Sequence, residues 1–420
     1  MDSPAELPTV NGQPATGART SPLLRPARPH VVVVGGGIVG LAVARELAAR
    51  EARITVLEKE DRWATHQTGH NSQVAHAGVY YPPGSEKARL AVAGNRSMVA
   101  YAKQGGAAVN VCGKLIVAAV PHELPALEKL AARATANGVP ARLIGPQEAA
   151  ELEPHVRCVK ALHVGSTAVV DFPAVCELMV GELTRAGADL RLESPALEIR
   201  RYGSGVQVST PKGTVTADWL VNCAGLHADR VARLAGLRPP TRIVPFRGEY
   251  YQLRPSAQHL VRGLVYPVPD PTLPFLGVHL TRMLDGTVHA GPNAVLALRR
   301  EGYRWRDISL PDLASAAAYP GLWRLAKRYR RTAVEEVLRS LSRRRFAHSL
   351  ARLVPEIEAT DIVRAGAGVR AQALHPDGTL VDDFLQVRAA GQIHVLNAPS
   401  PAATAALEVA RHIADQVLEH

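Results

Sequence analysis

The sequence predicts a two-domain α/β protein: a Rossmann-like domain joined to a second, α+β domain built on an antiparallel sheet. Three observations point there. A β-branched run, a glycine turn, an alanine-rich stretch and another β-branched run follow one another between His30 and Glu58. Segments of β-like alternation recur from about Thr241 to Val295. A strand-like run at Ile393–Asn397 then feeds a helix-compatible tail through a Pro/Ser turn, as a chain does when it returns to its first domain. At about 150 residues per domain, 420 residues leave room for two to three domains.

Each element follows from its residues. Residues 1–29 are rich in Pro, Ala, Thr and Gly and lack the basic start and apolar centre of a secretory signal, so a disordered tail is expected. Val31–Val34 reads as a strand, Gly35–Gly40 as a tight turn, the stretch to about Arg50 as a helix, and Ile54–Glu58 as a second strand. Thr65–Tyr81 is a polar loop containing Gly and His, of a length that packed domains rarely keep without a role. A helix through about Lys103, a strand at Asn110–Val120 and amphipathic helices at Pro121–Asn137 and Asp171–Gly187 come next. Strand-like runs resume at Leu190–Leu197, Val206–Ser209 and Trp219–Cys223. Tyr250–Leu253, Phe275–Leu280 and Thr287–Ala290 supply the antiparallel sheet, and a largely helical stretch runs to about Leu353. The loop Ala398–Pro401 and a helix from about Ala402 close the chain, and no internal repeat is evident.

Composition narrows the class. With 47% hydrophobic and 21% charged residues the chain can bury a core. Cys112, Cys158, Cys176 and Cys223 are too few and too scattered for a disulfide framework or a zinc site, which fits a reducing compartment. The longest apolar candidate, His30–Ala44, is broken by four glycines and is too short to span a bilayer. Net charge is +11, and 41 of the 49 basic residues are arginine. Nine basic residues against Glu335 and Glu336 fall between Arg324 and Arg345. Three readings apply to that segment: a solvated helix face, docking on an anionic membrane, or attraction of an anionic substrate. Nucleic acid ranks below them, because aromatic residues make up only 5% and no recognition module interleaves them with the charges.

Gly35, Gly37 and Gly40 form G-x-G-x-x-G between a strand and a helix, and Glu58 ends the next strand. The glycines allow a pyrophosphate to approach the helix N-terminus, and the carboxylate can accept hydrogen bonds from a ribose. This fingerprint serves FAD and NAD alike. After the second strand, however, a nicotinamide enzyme would continue through further βα units, whereas this chain enters the loop His66–Gly78 with its three histidines.

That loop, the turn Asn222-Cys223-Ala224-Gly225 and the turn at Ser400 resemble the FAD-holding segments of the glycine-oxidase and D-amino-acid-oxidase superfamily. Longer strings sharpen the resemblance: HQTGHNS (His66–Ser72), HAGVYYPPGS (His76–Ser85), PFRGEYYQL (Pro245–Leu253) and PFLGVHLTRMLDG (Pro274–Gly286). GPNAVLALRREGY (Gly291–Tyr303), GVRAQAL (Gly368–Leu374), DGTLVDDFL and NAPSPAAT complete the set. Together they are similar to the L-2-hydroxyglutarate oxidase/dehydrogenase family over nearly everything from Val31 to Ile413. The chain departs from the family in its N-terminal tail and at Gln73-Val74-Ala75, where relatives carry Gly and bulkier apolar residues.

The resemblance implies an FAD cofactor held by Gly35, Gly37, Ile38, Val39, Gly40, Glu58, Lys59, Thr68, His70, Asn71 and Ser72. Ala224, Gly225, Gly368, Ser400 and Pro401 complete that set. Backbone N–H groups in Asn397–Thr404 should stabilise charge on the reduced ring. The implied reaction is L-2-hydroxyglutarate to 2-oxoglutarate, with electrons passed to oxygen or a membrane quinone. Removing the hydroxyl proton needs a base of near-neutral pKa, and the matching N-S-x-x-x-H motif assigns His76, with His66, His70 and His279 as competitors. A dicarboxylate also needs cationic anchors. Arg370 is expected on the substrate anion, and Arg247 and Arg282 are candidates for the second carboxylate, with Tyr251, His279 and Asn293 as hydrogen-bonding neighbours. No metal and no covalent flavin link are expected. The FAD-binding domain is expected from 30–105, 155–240 and 350–420, and the substrate domain from 106–154 and 241–349. A cytoplasmic location, peripheral to the inner face of the membrane if a quinone is the acceptor, follows. The alternatives are a flavin oxidase of another 2-hydroxy acid or of an amino acid, or a flavin-binding redox protein without turnover.

Overall fold

A computed structural model describes residues 28–269 and 277–419. All but the last two residues of the tail expected over residues 1–29, and the start of Phe275–Leu280, therefore fall outside the described residues. The strand His30–Val34 is the hub of a six-stranded sheet, paired in parallel with Arg53–Leu57 on one side and Trp219–Asn222 on the other. Asp189–Arg191 and Gln392–Asn397 extend it in parallel, and Leu385–Ala389 adds an antiparallel edge. The hub reads as an unbroken run of valines because water meets neither face. Val31 and Val33 pack with the helices Ile38–Ala49, Phe172–Arg185 and Ala402–Leu418. Val32 and Val34 pack instead on a three-stranded antiparallel sheet made of Glu198–Tyr202, Gly205–Thr210 and Gly213–Ala217. Burying each such side chain contributes roughly 1.5–3 kcal/mol. The C-terminal strand and helix do return to the first sheet.

A nine-stranded sheet forms the second unit. Its path is Val295–Leu296, Arg242–Leu253, Val288–Gly291, His279–Arg282, Leu264–Pro267, Lys114–Ala118, Lys160–Val164 and Ala141–Ile144. Ile362–Leu374 pairs along the length of Arg242–Leu253, with a bulge between Glu249 and Tyr251. The sheet is antiparallel as expected except at one junction, where Leu264–Pro267 runs parallel to Lys114–Ala118. Two strands that the sequence reading grouped with the nucleotide-binding segments, Lys160–Val164 and Ile362–Leu374, pair here instead, with Lys114–Ala118 and Arg242–Leu253. The strand expected at Leu190–Leu197 ends at Arg191, because the chain then turns to bond Ser194 N to the Glu58 carbonyl at 2.7 Å. Asn110–Val120 is split by Gly113, whose φ of +72° interrupts extended backbone. Helices Leu310–Ala317, Pro320–Arg328, Arg330–Leu341 and Arg343–Ala351 follow, and Phe346 and Leu350 pack on Tyr251 and Leu253.

The two units are clamped by a buried ion pair. Asp229, in the helix Ala228–Leu234 that follows the hub's neighbour, takes both Arg300 guanidinium nitrogens at 2.5 and 3.0 Å. Between the units the histidine loop is anchored by a short strand, Val74–Ala75, paired with Ala168–Val169. Asn95 Nδ2 donates to the Ala75 carbonyl at 3.0 Å, which fixes the backbone directly before His76.

Candidate active site

One cavity of about 720 Å³ runs from the glycine turn to the second sheet. Its nucleotide end is built by backbone. Gly35 adopts φ +114° against the Cys223 carbonyl, where a Cβ would sit 2.5 Å from that oxygen. A Cβ on Gly40 would lie 2.0 Å from the Gly35 carbonyl oxygen, so helix and turn close on each other only with glycine there. Gly37 caps the helix without a side chain, and Thr68 Oγ1 accepts from Ile38 N at 3.1 Å. Glu58 is aimed by two backbone donors, Gly36 N at 2.7 Å and Glu60 N at 2.9 Å. A bare helix N-terminus, a glycine turn and an oriented carboxylate on one wall fit a dinucleotide. Val39, Lys59, His70, Asn71, Ser72, Ala224, Gly225, Gly368, Ser400 and Pro401 also line the cavity.

Not every lining group is available to a ligand. Lys59 Nζ lies 2.8 Å from Glu301 and also bonds Glu60, while His66 uses Nε2 on Glu60 at 2.8 Å and Nδ1 on the Tyr303 hydroxyl at 2.9 Å. Glu60, His66 and Glu301 could together hold a cation, and the ammonium of Lys59 occupies that role. Burial pushes the Glu301 carboxyl up, but bonds from His227 and Lys59 outweigh it and hold the group at about 2. Asn71 works within the loop, donating to the Gln67 and Thr68 carbonyls and accepting from Gln73 N. Gln73 itself has φ +56°, the left-handed region that favours glycine, so the family's glycine at this place has a backbone cause.

The reactive end gathers His76, His279, Arg370, Tyr80, Tyr250 and Tyr266. His76 N donates to Thr404 Oγ1 at 3.1 Å, tying it to the start of the C-terminal helix, and its Nδ1 is buried without a partner. Burial, then the charges of Lys114, His279 and Lys87, hold its imidazole well below the ordinary 6.5, in the neutral form that a proton acceptor needs. His279 stacks on the Tyr266 ring with centroids 3.9 Å apart, and burial pulls it to about 3. Arg370 Nη1 donates to the Asn293 carbonyl at 3.2 Å. His66 has both ring nitrogens engaged, His70 and His279 bond through Nδ1 to the His66 and Gly277 carbonyls, and His76 Nδ1 is buried without a partner.

Four residues expected on the substrate lie elsewhere. Arg247 is fully buried, pairs with Glu249 at 3.0 Å and lies over the Trp305 ring at 4.4 Å. Tyr251 packs on Phe346 in the core, with ring centroids 4.4 Å apart. Along Arg242–Leu253 the side chains alternate, and Gly248 and Tyr250 take the cavity face. Arg282 donates to the carbonyls of Val261, Gly286 and Gln258, closing a turn. Asn293 bonds Glu249 through its side-chain oxygen and nitrogen. The residues the sequence reading passed over are Tyr80, Tyr250, Tyr266 and Lys114. The last is 2% exposed, lies 4.4 Å from the Tyr80 ring and 4.7 Å from the Tyr266 ring, and is brought to about 7 by burial. A lysine opening an all-apolar strand was the available signal for it.

Comparison with known proteins agrees with this geometry. The family model for FAD dependent oxidoreductases (DAO) matches residues 30–416. The L-2-hydroxyglutarate dehydrogenase of Indibacter alkaliphilus is 40% identical over 394 residues, which are 93% of this chain and 99% of that protein. The human mitochondrial L-2-hydroxyglutarate dehydrogenase is 42% identical, over 92% of this chain and 88% of its own. Among solved structures, FAD-bound L-α-glycerophosphate oxidase from Mycoplasma pneumoniae superposes with a TM-score of 0.76 at 22% identity, covering 93% of this chain and 94% of that one. A cofactor cradle on the first sheet, a histidine loop at its rim and this degree of identity lead to one conclusion: the chain belongs to the FAD-dependent oxidoreductase family and, within it, to the L-2-hydroxyglutarate dehydrogenases.

Proposed function

We propose that this protein oxidises L-2-hydroxyglutarate to 2-oxoglutarate. The observation that carries the reading is a neutral His76 sharing a cavity with Arg370 and the nucleotide cradle. Arg370 holds the α-carboxylate, its planar fork matching the two oxygens. His76 takes the hydroxyl proton as the α-carbon is oxidised. Bound FAD supplies the hydride acceptor. The Tyr80, Tyr250 and Tyr266 rings keep water from the reacting carbon. The test is the absorbance of the purified holoprotein before and after anaerobic addition of L-2-hydroxyglutarate, with the D-isomer as control. Bleaching by the L-isomer alone is expected. A flavin band that persists with the L-isomer but bleaches with another hydroxy acid or an amino acid moves the substrate, and one that persists with all of them leaves a redox module without turnover.

The acceptor we propose is a membrane quinone. No described helix is long and apolar enough to cross a membrane. On Arg330–Leu341, however, Val334, Val337, Leu338 and Leu341 follow i, i+3, i+4, i+7 spacing and are all exposed, Leu341 at 61%. Trp323 is exposed nearby, beside Arg324, Lys327, Arg328, Arg343, Arg344 and Arg345. An apolar stripe rimmed by arginine suits the headgroup boundary of an anionic bilayer on the cytoplasmic side. The holoprotein should sediment with phosphatidylglycerol vesicles and not with phosphatidylcholine alone, and Val334→Glu with Leu338→Glu should release it. Equal recovery with and without vesicles would instead favour oxygen.

A further inference from the structure

We propose that Lys114 and the hydroxyls of Tyr80 and Tyr266 form the subsite for the distal carboxylate of a dicarboxylate hydroxy acid. This rests on the substrate reading above and replaces Arg247 and Arg282, neither of which lines the cavity. Three adjacent strands of the large sheet build it. Lys114 opens Lys114–Ala118, whose Ile116 registers with Tyr266 on Leu264–Pro267, and that strand in turn pairs with His279–Arg282. Lys114, Ile116 and Tyr266 therefore share one face, and His279 stacks on Tyr266. Tyr80 arrives from the end of the histidine loop and places its ring on the same ammonium.

Four polar atoms gather at this place with nothing to bind. Lys114 Nζ, Tyr80 OH, Tyr266 OH and His76 Nδ1 are all buried without a partner. Native proteins rarely leave buried donors unpaired, and a cluster of them is the complement of an acceptor-rich ligand. A carboxylate offers two oxygens and about four lone-pair sites, enough for two hydroxyl donors with the ammonium behind them as countercharge. Aromatic rings alone would hold a cation in an exposed cage, but here the cation belongs to the protein and both tyrosines line the cavity. Arg370 lies on the cavity wall and Lys114 behind the Tyr80 and Tyr266 rings, so two cationic groups bear on this end of the cavity. Two anions on one short ligand match them, and a monocarboxylate leaves the Lys114 side unanswered.

The experiment compares L-2-hydroxyglutarate with L-2-hydroxyvalerate, the same carbon chain lacking the distal carboxylate, in wild type, Lys114→Met and Tyr266→Phe holoprotein. In each variant the preference in kcat/KM for the dicarboxylate over the monocarboxylate should fall by about tenfold or more, mostly through the dicarboxylate's KM. Equal losses on both substrates, or no loss on the dicarboxylate, overturn the proposal. Should Lys114→Met not fold, Tyr266→Phe decides alone. Titration with glutarate and with valerate, read by the shift of the flavin band, separates this proposal from the activity itself. Preference for glutarate that disappears in the variants upholds the subsite even if L-2-hydroxyglutarate proves not to be oxidised. Preference that survives in the variants rejects it even if oxidation is confirmed.

Discussion

The two ends of the cavity are finished to different degrees. At the nucleotide end the oriented side chains already have partners: Glu58 accepts from Gly36 N and Glu60 N, Thr68 accepts from Ile38 N, and Lys59 sits between carboxylates. At the reactive end His76 Nδ1, Tyr80 OH, Tyr266 OH and Lys114 Nζ have none. The first end is backbone geometry, complete before a ligand arrives and tolerant of no side chain at its glycines. The second is an array of side chains whose hydrogen bonding the substrate is left to complete. Permanent cofactor and transient substrate thus leave different signatures in one cavity. A resident group can rely on a rigid cradle, whereas a turnover site stores unsatisfied polarity that binding then relieves.

The largest expected effect separates the ends outright. Gly40→Ala forces a Cβ to within 2.0 Å of a backbone oxygen that cannot step aside, so the turn must open and the purified protein should carry little or no flavin. His76→Gln should do the converse, retaining flavin while slowing its reduction by L-2-hydroxyglutarate by about 10²–10⁴-fold. A His76→Gln protein that reduces within tenfold of wild type would remove His76 as the base, and a flavin-replete Gly40→Ala would deny the cradle its rigidity. The pH profile carries a sign of its own. A base acts in its unprotonated form, and His76 is held well below 6.5 by burial and by Lys114, His279 and Lys87. At saturating substrate, protonation of this base should therefore cost wild-type flavin reduction nothing above pH 6.5, and a fall in kcat/KM on the dicarboxylate above about pH 7 would belong to Lys114.

How far each end was legible in the sequence follows the same division. The glycine fingerprint, Glu58 and the return of Ile393–Asn397 to the first sheet are local patterns, readable because backbone cradles need fixed spacings. His76 and Arg370 were reached through longer strings shared with a family, and both line the cavity. The sequence points to Tyr251 whereas Tyr250 lines the cavity, since strand alternation fixes the two faces but leaves open which one the cavity takes. The bulge between Glu249 and Tyr251 adds a further shift of phase. Ile362–Leu374 was left without a structure because its Ala-Gly-Ala-Gly centre lacks β-branched residues, and its long pairing partner supplies the order instead. Lys114 was invisible for another reason. Its burial is made by Tyr80 and Tyr266, distant in sequence and adjacent only once the sheet is assembled.

A smaller effect sharpens the comparison through stability. If the reactive end is built at a cost to the fold, removing its buried charge should stabilise the empty protein. Lys114 is 2% exposed and unpartnered, and two cation–π contacts of about 0.5–2 kcal/mol each only partly offset the desolvation of an ammonium. Lys114→Met, similar in volume and free of charge, should therefore raise stability by roughly 1–3 kcal/mol near pH 7. The sign with pH is fixed by linkage. Burial lowers Lys114 from 10.5 to about 7, so between those values the unfolded chain binds a proton that the folded chain does not, and wild-type stability climbs with pH. The advantage of the methionine variant should be greatest at pH 7 and below and shrink toward pH 10.5, as followed by thermal unfolding of the two proteins side by side. A methionine variant that is less stable at pH 6 would mean the ammonium is already compensated within the fold. The contrast between a finished cofactor end and an unfinished substrate end would then have to rest on His76 and the two tyrosines alone.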